Sequence, residues 1–363
     1  MTSAGDTSQL FAAAAVRSWA EAVLTRAGLS GSDAATVASS LAFADERSVS
    51  THGVARVPLY VRRLQRGGII ATAKPQVITD AGALCVIDGH GAAGAVTAIL
   101  AVAEAAARAR LHGTGVSLVR GGNDIGAAGY YASQLAGAGC FGMAACNSDA
   151  VMCAPGAATP VLGTNPVAVA VPGTALLLDM ATSAAAYGKI ADAAAQGRAI
   201  PAGWGADSAG QVTTDPRQVL DGGCVLPAAG PKGFGLAFMI DALAALAGAR
   251  TSPFIASVDA QPAVPQDLGM VFFAIDAASC GEPGAFADRV ADLAAAVQAT
   301  TTTNGSPAMV PGEPEEARRA TLRRNVGLPD HLVAELRALG AECLVPFPLP
   351  SEAEMADYRM EAR

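Results

Sequence analysis

Between residues 84 and 298, short apolar runs alternate with long alanine-rich stretches of helical period. This alternation restricts the fold more than any other feature of the chain. Residues 84–88 read as a strand, 89–94 as a glycine-rich turn and 95–111 as a helix. Further strands are predicted at 115–119 and 141–146, with a helix at 126–135 between them. Residues 167–171 and 176–180 form a strand pair turned at Pro172-Gly173. Helices follow at about 183–196 and 232–246, then a strand at 270–275 and a helix near 286–298. Strands and helices in this alternation predict an α/β unit.

The flanks follow a different pattern. Residues 8–28 read as one amphipathic helix ending at Gly28, and Ser32-Asp33 opens a second that runs to about Glu46. A third, over 54–65, is closed by Gly67-Gly68, and Ala73-Lys74-Pro75 leads into the α/β part. Residues 198–231 read as an ordered functional loop and 301–313 as a plain one; polar helices at roughly 314–325 and 331–340 close the chain. A length of 363 residues fits two domains at about 150 residues each.

Composition removes several classes of function. With 52% hydrophobic and 15% charged residues the chain fills a large core, and its alanine and glycine content predicts closely packed helices. A net charge of -8 leaves no basic stripe for nucleic acid. Seven cysteines without a CxxC fit a reduced compartment, with neither a disulfide framework nor a zinc knuckle. His52, His90, His112 and His331 are not at ligand spacing, so no metal site is expected. Asp6 and Arg17 argue against a signal peptide, and the apolar run 233–246 contains Asp241 and is too short to span a bilayer. A cytoplasmic enzyme without a membrane partner is expected.

Two glycine-rich segments fail as standard dinucleotide sites. Gly137-Ala138-Gly139-Cys140-Phe141-Gly142 matches GxGxxG in letters, but it lies between a helix and a strand, the reverse of the order such a site needs. The turn at 89–94 has the right context without the spacing. The segment around His52 carries more chemistry. His52 stands beside the Thr51 hydroxyl, Gly53 admits close backbone approach, and Arg56 follows four residues on. If 54–65 is helical, His52 and Arg56 share one face of its first turn, a proton carrier next to a carboxylate-gripping fork. A helix-terminal histidine beside a solvated arginine is the plainer alternative. Asp124 reads as a cap for the helix that follows it, and Gly163-Thr164-Asn165-Pro166 as a tight turn able to hold a substrate. Asp179-Met180-Ala181-Thr182-Ser183 closes a strand where α/β proteins bind ligands, and Lys189 lies a helical turn further. Lys232 begins a helix against the dipole, which points to an anionic ligand.

These segments resemble the type-2 malate/L-lactate dehydrogenase family, which includes ureidoglycolate and sulfolactate dehydrogenases and cyclic imine reductases. The matching runs are Thr51-His52-Gly53-Val54-Ala55-Arg56 with Pro58-Leu59-Tyr60, Gly126-Ala127-Ala128-Gly129-Tyr130-Tyr131, residues 160–166, 179–183 and 226–235, Thr213-Thr214-Asp215-Pro216 and Pro311-Gly312-Glu313. The resemblance implies an α/β fold in which a non-Rossmann nicotinamide-binding domain with a mixed sheet (75–313) is inserted between helical segments (1–74 and 314–363) that pack together. It also implies a homodimer with NAD or NADP as cofactor and a small carboxylate as substrate. By carry-over, His52 moves the proton, Thr51 orients it, Arg56 binds the substrate carboxylate, and Thr164 and Thr182 touch substrate. Ser148, Asp179, Met180, Ala181, Lys232, Pro311, Gly312 and Glu313 are the implied cofactor contacts.

Two positions bear on the branch. Imine reductases carry an Asp where this chain has Lys189, which favours 2-hydroxy/2-oxo acids over cyclic imino acids. Relatives usually carry a His where this chain has Asp124, a second candidate catalytic position. An aspartate there is a poor proton donor at neutral pH, which keeps a redox-silent member open as a third reading.

Overall fold

The structure is a computed structural model and describes residues 8–322 and 324–351. Asp6 and the last residues of the expected C-terminal helical segment lie outside the described residues. The chain opens with β1 (Ser8–Ala12), α1 (Ala13–Arg26), α2 (Gly31–Glu46) and α3 (Val57–Arg66). The middle carries β2 (Gln76–Ala81), β3 (Leu84–Asp88), α4 (Gly94–His112), β4 (Thr114–Gly122), α5 (Ala128–Gly137) and β5 (Cys140–Cys146). Next come β6 (Met152–Cys153), β7 (Pro160–Leu162), β8 (Val167–Ala170), β9 (Leu177–Met180) and α6 (Tyr187–Ala195). They lead to β10 (Gly205–Ala206), β11 (Val212–Thr213), α7 (Pro216–Leu220), β12 (Cys224–Val225) and α8 (Pro231–Leu246). The chain closes with β13 (Leu268–Asp276), α9 (Pro283–Gln298), α10 (Glu313–Leu322), β14 (Asn325–Pro329) and α11 (Asp330–Glu342).

Seven strands form the main sheet in the order β2-β3-β4-β13-β5-β8-β9. Only β3 and β4 run parallel; β13 lies antiparallel between β4 and β5. Helices α4 and α8 both pack on β13, so its Leu268–Asp276 run is almost continuously apolar and does not alternate. One continuous core joins Trp19, Leu24 and Leu41 of the first helices to Ile87, Tyr131 and Phe272 of the α/β part and to Leu336 and Phe347 near the C-terminus. No helix among the described residues is long and apolar enough to cross a membrane.

Several expectations need correction. The single helix over 8–28 is a strand followed by a helix: Ser8–Ala12 pairs antiparallel with Asn325–Pro329, which also cuts short the helix expected over 314–325. That pairing buries Leu10 and Phe11 with Val326 and Leu328, a gain that outweighs local helix propensity. The helix at 183–196 begins at Tyr187, because Ser183 bridges to Pro227 and its hydroxyl donates to the Ala185 carbonyl. Cys153 and Cys224 form a disulfide with Cα atoms 5.8 Å apart, although no disulfide framework was expected. Their meeting depends on parallel pairing of β6 with β12 inside a second sheet, ordered β11-β10-β12-β6-β7. Short pieces of the 198–231 loop fold into that sheet as β10, β11 and β12 and into α7, and the rest stays irregular.

Candidate active site

The segment between α2 and α3 is not one helix. Two short 3₁₀ turns, Ser50–His52 and Val54–Arg56, flank Gly53, and α3 starts only at Val57. The cause is Asp45 in the last turn of α2. Its Oδ2 accepts the Val54 N–H at 2.8 Å, and a Cβ on Gly53 would land on the carboxylate. His52 and Arg56 therefore do not share a helical face. They meet because Arg56 folds back, its Nε donating to the Thr51 carbonyl at 2.9 Å.

Around them, Thr51 Oγ1 lies 2.9 Å from His52 Nδ1. Asp124 comes from the loop after β4, whose backbone rests directly on Gly94 at the start of α4. Asp124 does not cap α5. Its Oδ1 accepts the Gly126 N–H at 2.9 Å in a local turn, and α5 begins at Ala128 with Ala127 as its cap. Asp124 Oδ2, buried and without a hydrogen bond, faces Arg56 Nη1 at 3.3 Å. Gly188 in the first turn of α6 presses on the Thr51 side chain and leaves no room for a Cβ, which brings Lys189 into range of the imidazole.

The electrostatics follow from this packing. Burial, then the Arg56 charge, pushes the His52 imidazole down to about 4; Lys189 adds to this and Asp124 opposes it. His52 is therefore neutral at pH 7. Burial opposes ionisation of Asp124, but Arg56, the Gly126 N–H, His52 and Arg63 outweigh it and hold its carboxyl below the usual range. Tyr60, one turn beyond Arg56, is buried beside this carboxylate, which keeps its phenol protonated. Asp149 and Asp259 add negative charge that reaches Arg56 and Arg63.

The other expected site residues gather along the ends of β5, β8 and β9. Ser148 donates its N–H to Asn165 Oδ1, while the Thr182 N–H and hydroxyl both donate to the Thr164 carbonyl at 2.9 Å. Thr182 is fully buried, so its hydroxyl is spent on that turn. The Thr182 carbonyl accepts the Ala228 N–H and packs on Gly233, tying the start of α8 and Lys232 to the same place. Asp179 accepts the Gly129 N–H at the start of α5, and Met180 pairs with Val167. The Pro311 carbonyl accepts the Leu177 N–H, and Glu313 accepts the Val310 N–H, which closes the turn at 311–313 against β9. Ala181 continues β9 towards Thr182.

A profile of the malate/L-lactate dehydrogenase family matches residues 11–337. The chain belongs to that family. An L-sulfolactate dehydrogenase from Methanocaldococcus jannaschii is 32% identical over 87% of this chain and 92% of its own. The solved sulfolactate dehydrogenase of that organism superposes with a TM-score of 0.86 at 30% identity, over 93% of this chain and 98% of that one. A ureidoglycolate dehydrogenase (NAD(+)) from Escherichia coli O157:H7 is 39% identical over 61% of this chain and 63% of its own. The malate dehydrogenase structure from Entamoeba histolytica gives a TM-score of 0.89 at 26% identity, over 94% of this chain and 100% of that one.

Members of the malate/L-lactate dehydrogenase family are oxidoreductases that use a nicotinamide cofactor, and the residues here fit such a group. Helix α8 starts at Gly230-Pro231 without a side-chain cap, and Lys232 is exposed in its first turn. The Gly233 N–H is taken by the Ala228 carbonyl and Pro231 has none, so the Lys232 cation is the group at this helix start that suits a diphosphate. Sequence reading passed over Asp45, Tyr60 and Arg63 as site residues. Tyr60 lies four positions after Arg56, a spacing that places both on one side of the 56–60 turn; Asp45 and Arg63 act on the site through contacts distant in sequence.

Proposed function

We propose that this enzyme moves a hydride between NAD or NADP and a small 2-hydroxy or 2-oxo acid. The observation that carries this reading is a neutral imidazole held beside a guanidinium whose other side rests on a carboxylate. Thr51 Oγ1 lies 2.9 Å from His52 Nδ1, and in the tautomer with the proton on Nδ1 the free Nε2 accepts the substrate hydroxyl proton in the oxidising direction. Arg56 uses Nε on Thr51 and Nη1 near Asp124, and its remaining N–H groups grip the substrate carboxylate. Asp124 serves as an anion that fixes Arg56 and not as a proton donor. Lys189 brings a cationic side chain into range of His52, which disfavours an iminium substrate and favours a 2-oxo acid. Thr164 and Thr182 shape the substrate turn.

Ser148, Asp179, Met180, Ala181, Lys232 and the Pro311-Gly312-Glu313 turn are the residues that would hold the cofactor. A bound nicotinamide supplies the hydride acceptor or donor. The single parallel pair in the main sheet supports a non-Rossmann cofactor domain over 75–313, and the β1–β14 pairing supports helical segments 1–74 and 314–363 packing as one unit. Leu236, Phe238, Met239 and Leu246 are exposed together on α8, which supports a homodimer. A cytoplasmic location completes the reading.

Calorimetric titration with NADH and NADPH is expected to give binding of at least one; binding of neither favours a redox-silent protein. Turnover of a 2-oxo acid panel, with pyruvate against pyruvate plus methylamine, is expected to favour the keto acid. Arg56→Ala is expected to raise KM about 10-fold or more, the loss of one charged hydrogen-bonding partner. An unchanged KM removes Arg56 from substrate binding.

A further inference from the structure

The carboxylate of Asp45 has no role in the reading above, yet it is almost fully buried and lies directly under the catalytic turn. It makes one hydrogen bond, to the Val54 N–H, and no ion pair among the described residues. Glu46 on its own helix adds like charge, and Arg17 of α1 borders the same small cavity without pairing to it. An uncompensated carboxylate at the C-terminal end of a helix is costly twice over, through burial and through the helix dipole. A residue chosen only for packing would not be charged there. We propose that Asp45 is a positioning residue for the reaction: its carboxylate, seated in the space left by Gly53, clamps Val54 and so holds Thr51-His52 on one side and Arg56 on the other in their mutual geometry.

The backbone around it explains why one bond matters. The chain reverses from α2 through the Ser48 and Val49 N–H groups, which donate to the Asp45 and Ala44 carbonyls, and the His52 N–H closes on Val49. After Gly53 the hydrogen bond back to α2 among the described residues comes from the Asp45 side chain, since Arg56 N bonds to Gly53 within the turn itself. Burial pushes the Asp45 carboxyl up to about 7, with Val54 opposing and Glu46 assisting, so the clamp is strongest when ionised above neutrality.

This inference rests on His52 as proton carrier, so its test includes a reading that needs no substrate. The double variant Asp45→Ala/Gly53→Ala fills the vacated space with a methyl group and leaves Val54 unclamped, and Asp45→Asn keeps an oxygen acceptor there. In the full-length protein, the NMR titration of the His52 ring, with His52→Ala to assign it, is expected near 4 in the parent and in Asp45→Asn. In the folded double variant it moves towards the ordinary 6.5, because the imidazole is no longer held in its buried place. On a 2-hydroxy acid that the parent oxidises, kcat falls about 10²-fold in the double variant with NADH binding retained, and Asp45→Asn restores most of it. An unmoved His52 midpoint, or full turnover, in the folded double variant overturns the proposal. If the parent oxidises no 2-hydroxy acid, the proposed function fails and the ring titration alone decides the role of Asp45.

Discussion

Replacing His52 with alanine is expected to lower kcat by at least about 10²-fold while NADH binding, read by calorimetry, stays within about 2-fold. The size follows from what the imidazole supplies. Hydride loss from a 2-hydroxy acid without proton removal generates a protonated carbonyl, and a positioned base removes that barrier. No other group in the cluster replaces it, because Asp124 is bound to Arg56 and Gly126, and Tyr60 retains its proton. The pH dependence carries the same signature. An imidazole at about 4 is already deprotonated through the neutral range, so oxidation loses rate as pH falls through about 4. Reduction, which needs the protonated ring, slows as pH rises above that point. The depressed value also withdraws fold stability as pH drops below the unfolded imidazole's 6.5, with the loss complete below about 4. Unchanged kcat in His52→Ala removes this residue from the chemistry.

Arg63→Met is expected to destabilise the fold by about 3–5 kcal/mol, read as a drop in the urea midpoint. Arg63 is completely buried, at 0% exposure. Its Nη1 donates to the Val258 and Gln261 carbonyls at 3.2 and 3.4 Å. Its Nη2 donates to Gly68, Val264 and the Asn123 side chain at 3.2, 3.0 and 3.2 Å. Methionine matches much of the volume and none of the donors, so five acceptors lose the Arg63 donor, and the Gly68, Val258 and Val264 carbonyls are left with no other partner among the described residues. Gly68 lies against the Pro262 carbonyl with no space for a Cβ, so the 258–264 loop cannot shift inward to compensate. That loop carries Asp259, whose charge reaches Arg56, so turnover is expected to fall along with stability. A midpoint unchanged from the parent sinks this assignment.

Both residues illustrate what a sequence discloses about such a site. The α/β alternation was legible because helices of 10 to 19 residues such as α4 and α5 keep their period over several turns. The meeting of His52, Arg56 and Asp124 was accessible only through family resemblance, since Asp124 reaches Arg56 across 68 residues of chain by way of the β4 end. The helical-face argument for His52 and Arg56 pointed to the right pair by the wrong route, because nothing local announces that Asp45 occupies the space above Gly53. The two-residue strands of the second sheet carry too few side chains to register as a pattern. Ser8–Ala12 looks helical by composition and becomes a strand because its partner arrives more than 300 residues later. Arg63, midway along an amphipathic helix, resembles a solvated cation until the loop at 258–264 folds over it.

The seating of β13 between β4 and β5 has a bearing on how the enzyme is made. A nascent chain that has emerged only as far as residue 267 holds two three-stranded half-sheets, each with a bare inner margin of unpaired backbone and no neighbour to cover it. Such margins invite pairing with other nascent chains. The ribosome must therefore deliver roughly three-quarters of this polypeptide before the halves can be stitched together, and fragments truncated short of that point should accumulate as insoluble material.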